Sequence, residues 1–170
     1  MEKRKKVLVT GAAGFLGSHL SEKLMNINCD VIGIDNLIGG DLDNLPKGIK
    51  FYQFDCCDFN KMNKAMKGVD VIYHCAATAH EGLSVFSPVA ISKNNYLATA
   101  SVISAGVNNK VKRIVYCSSM ARYGKQGTPF TEEMEPKPVD PYGISKVAGE
   151  ELLKNLCNLN KIEWVIVVPH

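Results

Sequence analysis

The chain has 170 residues, of which 46% are hydrophobic and 22% charged, a composition typical of an ordinary globular domain that excludes a disordered chain. Twenty Lys and Arg against 17 Asp and Glu give a net charge of +3, too small and too dispersed to indicate nucleic acid as the main partner. No apolar run approaches the ~18 residues that a membrane span requires, so we expect a cytoplasmic protein that does not bind membranes.

Basic residues at positions 3–6 precede the first apolar run, as in a secretory signal, but Gly11, Gly14 and Gly17 interrupt that run. This pattern favours a solvated tail before a first strand. Cys56 and Cys57 are adjacent and lack the spacing of a zinc or redox site, so no metal site is expected. Four further cysteines adjoin apolar runs and are interpreted as reduced, small core residues: Cys29, Cys75, Cys117 and Cys157.

Short apolar runs alternate with segments of helical spacing, which predicts βαβ units around a parallel sheet covered on both faces. The predicted strands lie near residues 7–9, 31–35, 49–54, 69–73, 111–117 and 162–168. The predicted helices cover residues 16–27, 60–66, 88–106 and 142–159. In the first helix, one apolar face is predicted from Leu16, Leu20, Leu24 and Ile27. Ser87 and Pro88 predict the cap and first turn of the third helix.

Three glycines lie directly between the first strand and the first helix, in the pattern G-x-x-G-x-x-G at Gly11, Gly14 and Gly17. Such a turn lets the backbone approach a pyrophosphate, although glycine-rich turns also occur for purely steric reasons. Asp35 ends the second strand, where an acid accepts hydrogen bonds from a ribose or merely caps a turn. Together these features predict a Rossmann-type, doubly wound, three-layer αβα fold of at least six strands that binds NAD rather than NADP.

Tyr142 and Lys146 are four residues apart near the start of a predicted helix, so their side chains share one face. A tyrosine needs its pKa lowered to act as a base near neutral pH, and the ammonium of Lys146 is expected to lower it. By itself this spacing is also common in solvated pairs. Ser118 and Ser119 follow the fifth strand, at the edge where open α/β sheets bind ligands, and therefore favour a catalytic group.

The sequence resembles the extended short-chain dehydrogenase/reductase family, within it the group of nucleotide-sugar epimerases and dehydratases. The resemblance spans the chain and depends on the motifs T-G-A-A-G-F-L-G-S-H, D-N-L, H-C-A-A, S-S-M-A-R-Y-G and P-Y-G-I-S-K. It implies catalytic roles for Ser119, Tyr142 and Lys146. The cofactor-binding residues that it implies, besides Tyr142 and Lys146, are Gly11, Gly14, Phe15, Leu16, Gly17, Asp35, Asn36, Asp55, Cys56, Ala76, Ala77 and Asn95.

The resemblance implies an NAD-dependent nucleotide-sugar epimerase, of the UDP-sugar 4-epimerase type, that acts through a keto-sugar. Dehydratases carry Asp and Glu where this chain has Met120 and Ala121, which disfavours dehydration. Two alternatives stay open: a net oxidoreductase of the same family and a non-catalytic NAD-binding scaffold.

In the family the sixth strand leads into a smaller region that binds the nucleotide-sugar. We expect that region to lie outside these 170 residues, which would form an NAD-binding domain with little activity alone. The resemblance also suggests a homodimer through the helices at 88–106 and 142–159.

Overall fold

A computed structural model describes residues 4–169, so Lys3 of the basic cluster lies outside the described residues. Six strands form one sheet: β1 (Lys6–Thr10), β2 (Asp30–Asp35), β3 (Lys50–Gln53), β4 (Val71–His74), β5 (Arg113–Cys117) and β6 (Glu163–Val167). The strand order is β3-β2-β1-β4-β5-β6 and every neighbouring pair is parallel. This is the doubly wound Rossmann arrangement that the sequence predicts.

The helices are α1 (Phe15–Asn26), α2 (Phe59–Ala65), α3 (Glu81–Ser84), α4 (Pro88–Ile91), α5 (Ala98–Asn108) and α6 (Pro141–Asn160). Short 3₁₀ segments cover Leu42–Asn44 and Met120–Tyr123, and a π-helical segment, Ser92–Leu97, joins α4 to α5. None of the helices that the structure describes is both long and apolar enough to cross a membrane.

Strand side chains alternate between two apolar cores because successive residues point to opposite faces of a sheet. Leu8, Ile32 and Ile114 pack in one core with residues of α2, α5 and α6. Val7 and Val9 pack in the other, with Leu24 of α1. Two cores enclosing one sheet confirm the predicted three-layer architecture.

The predicted apolar face of α1 is only partly correct. Leu24 is buried, whereas Leu16 and Ile27 are 46% and 72% exposed. The buried side of α1 also carries small residues, including Gly17, Ser18 and Ser21. Small residues allow this helix to lie close to the glycine turn, so apolar spacing alone identified only Leu20 and Leu24 of the side that packs in the core.

The predicted helix at 88–106 is interrupted. It begins at Pro88 as expected, but six residues are π-helical before α-helix resumes at Ala98. Ser87 precedes Pro88 as predicted, yet its side chain makes no capping hydrogen bond within residues 4–169. A π-helical segment shifts the helix face by one residue and often occurs at functional sites. Here it carries Asn94, which lines the cleft described below.

Helix α6 begins where local chemistry favours a helix. Asp140 caps its start by accepting a hydrogen bond from the Gly143 backbone N–H at 2.8 Å, and Pro141 fills the first position. Its buried stripe runs through Tyr142, Lys146, Glu150, Leu153 and Cys157. The polar residues of this stripe face the carboxyl end of β5, which places them at the functional edge of the sheet.

Candidate active site

A cleft of about 300 Å³ lies at the carboxyl edge of the sheet, where β1 and β4 are neighbours. The strand order reverses direction at this position. From β1 the chain first adds β2 and β3 on one side, and it then adds β4, β5 and β6 on the other side. Open α/β sheets bind their ligands at such a switch point. Most of the predicted cofactor residues line this cleft: Gly11, Gly14, Phe15, Leu16, Gly17, Asp35, Asn36, Asp55, Cys56, Ala76 and Ala77.

The glycine turn is sterically obligatory at two of its three positions. Gly11 has a φ of +71°, and a Cβ there would lie 2.8 Å from the Ala76 backbone nitrogen. A Cβ on Gly17 would lie only 2.0 Å from the Gly11 carbonyl oxygen. Because no side chain fills the turn, the backbone at the start of α1 borders the cleft, and its N–H groups can hold an anion there.

Asp35 connects two loops at the cleft and is only 8% exposed. Its carboxylate accepts hydrogen bonds from the backbone N–H groups of Ala13, at 3.0 Å, and Leu37, at 2.8 Å. Each bond occupies one oxygen and leaves acceptor capacity on both, since a carboxylate has about four lone-pair sites. Asp35 is therefore both a turn cap and a fixed acceptor for ligand hydroxyl groups.

The wall of the cleft next to Asp35 is bordered by Asp55 and Cys56, since the preceding Phe54 backbone N–H donates to the Asp35 carbonyl at 3.0 Å. Asp55 accepts the Cys57 backbone N–H at 2.8 Å, and its other oxygen lies 3.9 Å from the Lys93 ammonium. Burial raises the pKa of the Cys56 thiol, with Asp55 adding to the effect, so this cysteine is a neutral wall residue. The cleft is also lined by residues that the sequence pattern does not predict, including Ile38, Gly39, Thr78, His80 and Asn94.

Asn95 serves the cleft indirectly. It is 1% exposed, its Oδ1 accepts the Thr78 backbone N–H at 2.7 Å, and its Nδ2 donates to the Ser145 hydroxyl at 3.2 Å. It also donates to the Thr78 carbonyl at 3.3 Å. Within the described residues its side chain does not border the cleft. Asn95 therefore fastens the loop after β4 to helix α6, and a direct cofactor contact stays a prediction.

The structure brings Ser119, Tyr142 and Lys146 together beside the cleft. The Ser119 hydroxyl lies close enough to Tyr142 to act on the pKa of its phenol, and its Oγ accepts the Ala121 backbone N–H at 3.2 Å. The Lys146 ammonium donates to the Cys117 carbonyl at 2.7 Å and lies 5.8 Å from the centre of the Tyr142 ring. Burial lowers the pKa of Lys146 to about 8, so the amine is mostly protonated at neutral pH.

The expected lowering of the Tyr142 pKa is not found in this structure. Burial raises the pKa of the phenol, and the Ser119 hydroxyl offsets only part of that rise. Lys146 is held toward the Cys117 carbonyl, with its ammonium at ring distance rather than at the hydroxyl. A neutral Tyr142 is thus the resting state, and proton transfer requires additional positive charge near the phenol.

A buried ion pair supports this group and was not predicted. Glu150 is fully buried, accepts the Ser118 hydroxyl and pairs with the Arg122 guanidinium at 2.9 Å. Glu150 lies one helical turn beyond Lys146, and Arg122 lies in the 3₁₀ segment that follows Ser119. The network therefore fixes that segment against α6. Sequence spacing offered only the four-residue step from Lys146 to Glu150.

His74 belongs to the H-C-A-A motif, and its spacing in the sequence predicts no role for it. It is buried at the end of β4, with Nδ1 2.7 Å from the Thr10 hydroxyl and Nε2 2.9 Å from the Thr99 hydroxyl. Thr99 donates its own proton to the Asn95 carbonyl at 2.6 Å, so Nε2 carries the proton shared with Thr99. Burial, with the charge of Lys146, lowers the pKa of His74 to about 3.

Comparison with known proteins is consistent with this geometry. Residues 7–170 match the model of the NAD dependent epimerase/dehydratase family. The chain is 34% identical over 152 residues to the UDP-glucose 4-epimerase of Streptomyces lividans, covering 87% of this chain and 46% of the relative. The chain spans about half the length of the curated relatives it matches.

Two solved structures show how far the similarity extends. UDP-glucose 4-epimerase from Thermotoga maritima, crystallised with UDP-glucose, superposes with a TM-score of 0.91 at 30% identity, covering 95% of this chain and 54% of that one. The Thermus thermophilus UDP-glucose 4-epimerase in complex with NAD gives a TM-score of 0.90 at 34% identity, covering 95% and 53%. The similarity therefore includes the sheet, the cleft and the edge that carries Ser119, Tyr142 and Lys146.

Proposed function

Because this chain belongs to the NAD-dependent epimerase/dehydratase family, we propose that it is the NAD-binding and catalytic part of a nucleotide-sugar 4-epimerase. One observation carries the proposal: Ser119 lies beside Tyr142, and the Lys146 ammonium lies 5.8 Å from the Tyr142 ring, next to a cleft with a glycine turn. UDP-sugars are the favoured substrates, since relatives and structural neighbours are UDP-glucose 4-epimerases.

The residues of the cleft fit a dinucleotide. Asp35 offers acceptors for the hydroxyls of a ribose, and the start of α1 offers backbone N–H groups for a pyrophosphate. The carboxylate would repel a phosphate on that ribose, which favours NAD over NADP. When bound, NAD would supply an acceptor for hydride from the sugar carbon and a donor for its return.

The chain's own residues would move the proton. Tyr142 accepts the proton of the reacting sugar hydroxyl and later returns it, while Ser119 donates a hydrogen bond to the same oxygen. Each unit by which the phenol pKa must fall requires ~1.4 kcal/mol of selective stabilisation of the phenolate. Lys146, mostly charged at neutral pH and 5.8 Å from the Tyr142 ring, contributes to it.

Epimerisation is preferred to dehydration because the position after Ser119 carries no acid. Met120 and Ala121 begin the 3₁₀ segment there, and Met120 is partly exposed while Ala121 is buried. Neither can donate or accept a proton during loss of water. The substrate would therefore leave with all its atoms, inverted at one carbon.

Calorimetry with NAD and chromatography of nucleotide-sugars test this proposal. We expect this chain to bind NAD, and a longer chain that includes the substrate-binding region to convert a UDP-sugar to its epimer without net change in the absorbance of reduced nicotinamide. Accumulation of reduced cofactor would instead indicate a net oxidoreductase. NAD binding by that longer chain without conversion of any UDP-, GDP- or dTDP-sugar would indicate a scaffold.

Residues 1–170 are assigned as the cofactor domain with its Ser/Tyr/Lys group, and efficient turnover by this chain alone would contradict that assignment. We further propose a homodimer, supported by exposed apolar side chains on α4, the π-helical segment and α6: Val89, Tyr96, Leu97 and Ile144. Sedimentation as a monomer would exclude it. A cytoplasmic location is supported by six free thiols, which suit a reducing compartment.

A further inference from the structure

Cys75 and Cys117 form a thiol pair at the edge of the candidate active site. His74, the last residue of β4, pairs with Tyr116 of β5. The residues that follow them, Cys75 and Cys117, therefore lie side by side at the carboxyl edge of the sheet. Their Sγ atoms are 3.5 Å apart, and both side chains are partly exposed. The sequence interpretation of these residues as small core side chains is therefore incomplete, because the fold brings together two thiols 42 positions apart.

We propose that Cys75 and Cys117 are an oxidation site, which hydrogen peroxide converts to an intramolecular disulfide beside Lys146. The backbone spacing suits such a bond. Neighbouring strands lie about 4.8 Å apart, within the range of roughly 4.4–6.8 Å that disulfides span between Cα atoms. The sulfur atoms must approach from 3.5 Å to about 2.05 Å, a change of the size that side-chain rotation can supply.

The surroundings give the two thiols different roles. The hydrogen bond from Cys75 and the nearby ammonium of Lys146 lower the pKa of Cys117, while the same pairing and burial raise that of Cys75. A thiolate is the nucleophile in thiol oxidation, so Cys117 attacks first and Cys75 resolves. Cys75 also borders the cleft, through which a molecule as small as peroxide can reach the pair.

The reaction balances with peroxide as the oxidant. The Cys117 thiolate attacks one peroxide oxygen, the O–O bond breaks, and the departing hydroxide takes a proton to leave as water. The resulting sulfenic acid is attacked by the sulfur of Cys75. The S–S bond forms, the S–O bond breaks, and the proton of Cys75 leaves with the hydroxyl as a second water. The two sulfurs lose two electrons, which the peroxide gains.

Oxidation would disturb residues that we propose to bind NAD, so this step of the inference rests on the proposed function. The Cys117 carbonyl holds the Lys146 ammonium at 2.7 Å, and Cys75 precedes Ala76, whose backbone N–H donates to Thr10 at 3.2 Å. Formation of the S–S bond would shift the Cys117 carbonyl and the Ala76 backbone N–H, and with them the hydrogen bonds to Lys146 and Thr10. We expect the disulfide to weaken NAD binding by roughly fivefold or more, and bound NAD to disfavour the disulfide by the same factor.

Peptide mapping after peroxide treatment of the NAD-free chain tests the site independently of the proposed function. We expect a Cys75–Cys117 disulfide that dithiothreitol reverses and that is abolished in Cys75→Ser and in Cys117→Ser. Cys29→Ser is the matched control, since Cys29 precedes β2 at the amino edge of the parallel sheet, away from the pair at the carboxyl edge, and should leave the disulfide unchanged. Peroxide that leaves both thiols free, or drives either to sulfinic acid without the disulfide, overturns the proposal.

Titration with NAD then tests the coupling. Calorimetry on the reduced and oxidised wild-type chains should show the loss of affinity, and dithiothreitol should restore it. If the disulfide forms but both states bind NAD equally, the claimed effect on the cofactor site is wrong. If neither state binds NAD while the disulfide forms, the proposed function fails and the oxidation site stands.

Discussion

His74 should make the stability of this protein fall under mildly acidic conditions. Its ring bridges Thr10 of β1 and Thr99 of α5 in the neutral form, with the proton on Nε2. Protonating the ring would place a charge in a buried site that already lies near the ammonium of Lys146. The pKa of His74 is accordingly lowered to about 3, from its usual 6.5.

The magnitude follows from the two pKa values. Because the folded pKa lies below the unfolded one, the unfolded chain binds the proton first as the pH falls. The contribution to stability is therefore complete well above pH 6.5 and is lost progressively as the pH falls toward 3. At about pH 5 the loss relative to neutral pH amounts to about 2 kcal/mol of the free energy of unfolding.

Urea denaturation of the wild-type chain and of His74→Gln, each at about pH 7.5 and about pH 5, would measure this contribution. The variant will be less stable at both values because it loses buried hydrogen bonds. The informative quantity is the change in stability between the two pH values, which should be about 2 kcal/mol smaller in the variant.

Imidazole NMR provides the independent check. Long-range ¹H–¹⁵N spectra should show His74 neutral at pH 5, with the proton on Nε2. A ring that titrates near its usual value, or equal pH dependence in wild type and variant, would refute the reasoning from burial.

Asp35→Ala should narrow the preference for NAD over NADP in calorimetric titrations, because the repelling carboxylate is gone; an unchanged ratio would assign selectivity elsewhere. In a chain that includes the substrate-binding region, Tyr142→Phe should leave NAD binding nearly intact and lower epimerisation by roughly two to four orders of magnitude, so turnover at the parental rate in a folded variant would exclude the proton-transfer role. Gly17→Ala should abolish NAD binding, since its Cβ would lie 2.0 Å from a backbone carbonyl oxygen; Gly127→Ala, at a position with open space away from the cleft, is the control. Glu150→Ala should cost about 3–5 kcal/mol in urea denaturation by leaving Arg122 buried without its partner, and a much smaller loss would contradict burial of the pair.

The strands could be predicted from the sequence, since short and nearly continuous apolar runs are typical of strands in a sheet that is covered on both faces. The sequence was also sufficient for the cleft, because glycines at fixed spacing and an acid at the end of β2 are local features of neighbouring elements. Helix faces were less predictable. Leu16 and Ile27 fit an apolar period, yet the structure buries Ser18 and Ser21, since close packing at the glycine turn favours small side chains.

Contacts across the sheet could not be predicted from spacing. His74 contacts Thr10, and Cys75 contacts Cys117, because strands that are distant in sequence pair in a particular register. The burial that raises the Tyr142 pKa could not be predicted either, because the sequence gives the position of a residue along the chain and not how deeply its side chain is buried. The four-residue step from Tyr142 to Lys146 correctly predicted a shared face, and the Cys117 carbonyl then determined where the ammonium lies.

The strand order has a consequence for how this chain acquires its site during folding. β1 pairs with β2, 24 residues later, but also with β4, whose Val71 lies 64 positions from Val7. Local pairings and helices form quickly, whereas a pairing across so long an intervening segment must first overcome the entropy of closing a large loop. The cleft lies at this distant junction, so helical content would return in refolding before the ligand site exists. The rate at which ligand binding recovers during refolding would then report the rate at which β1 pairs with β4.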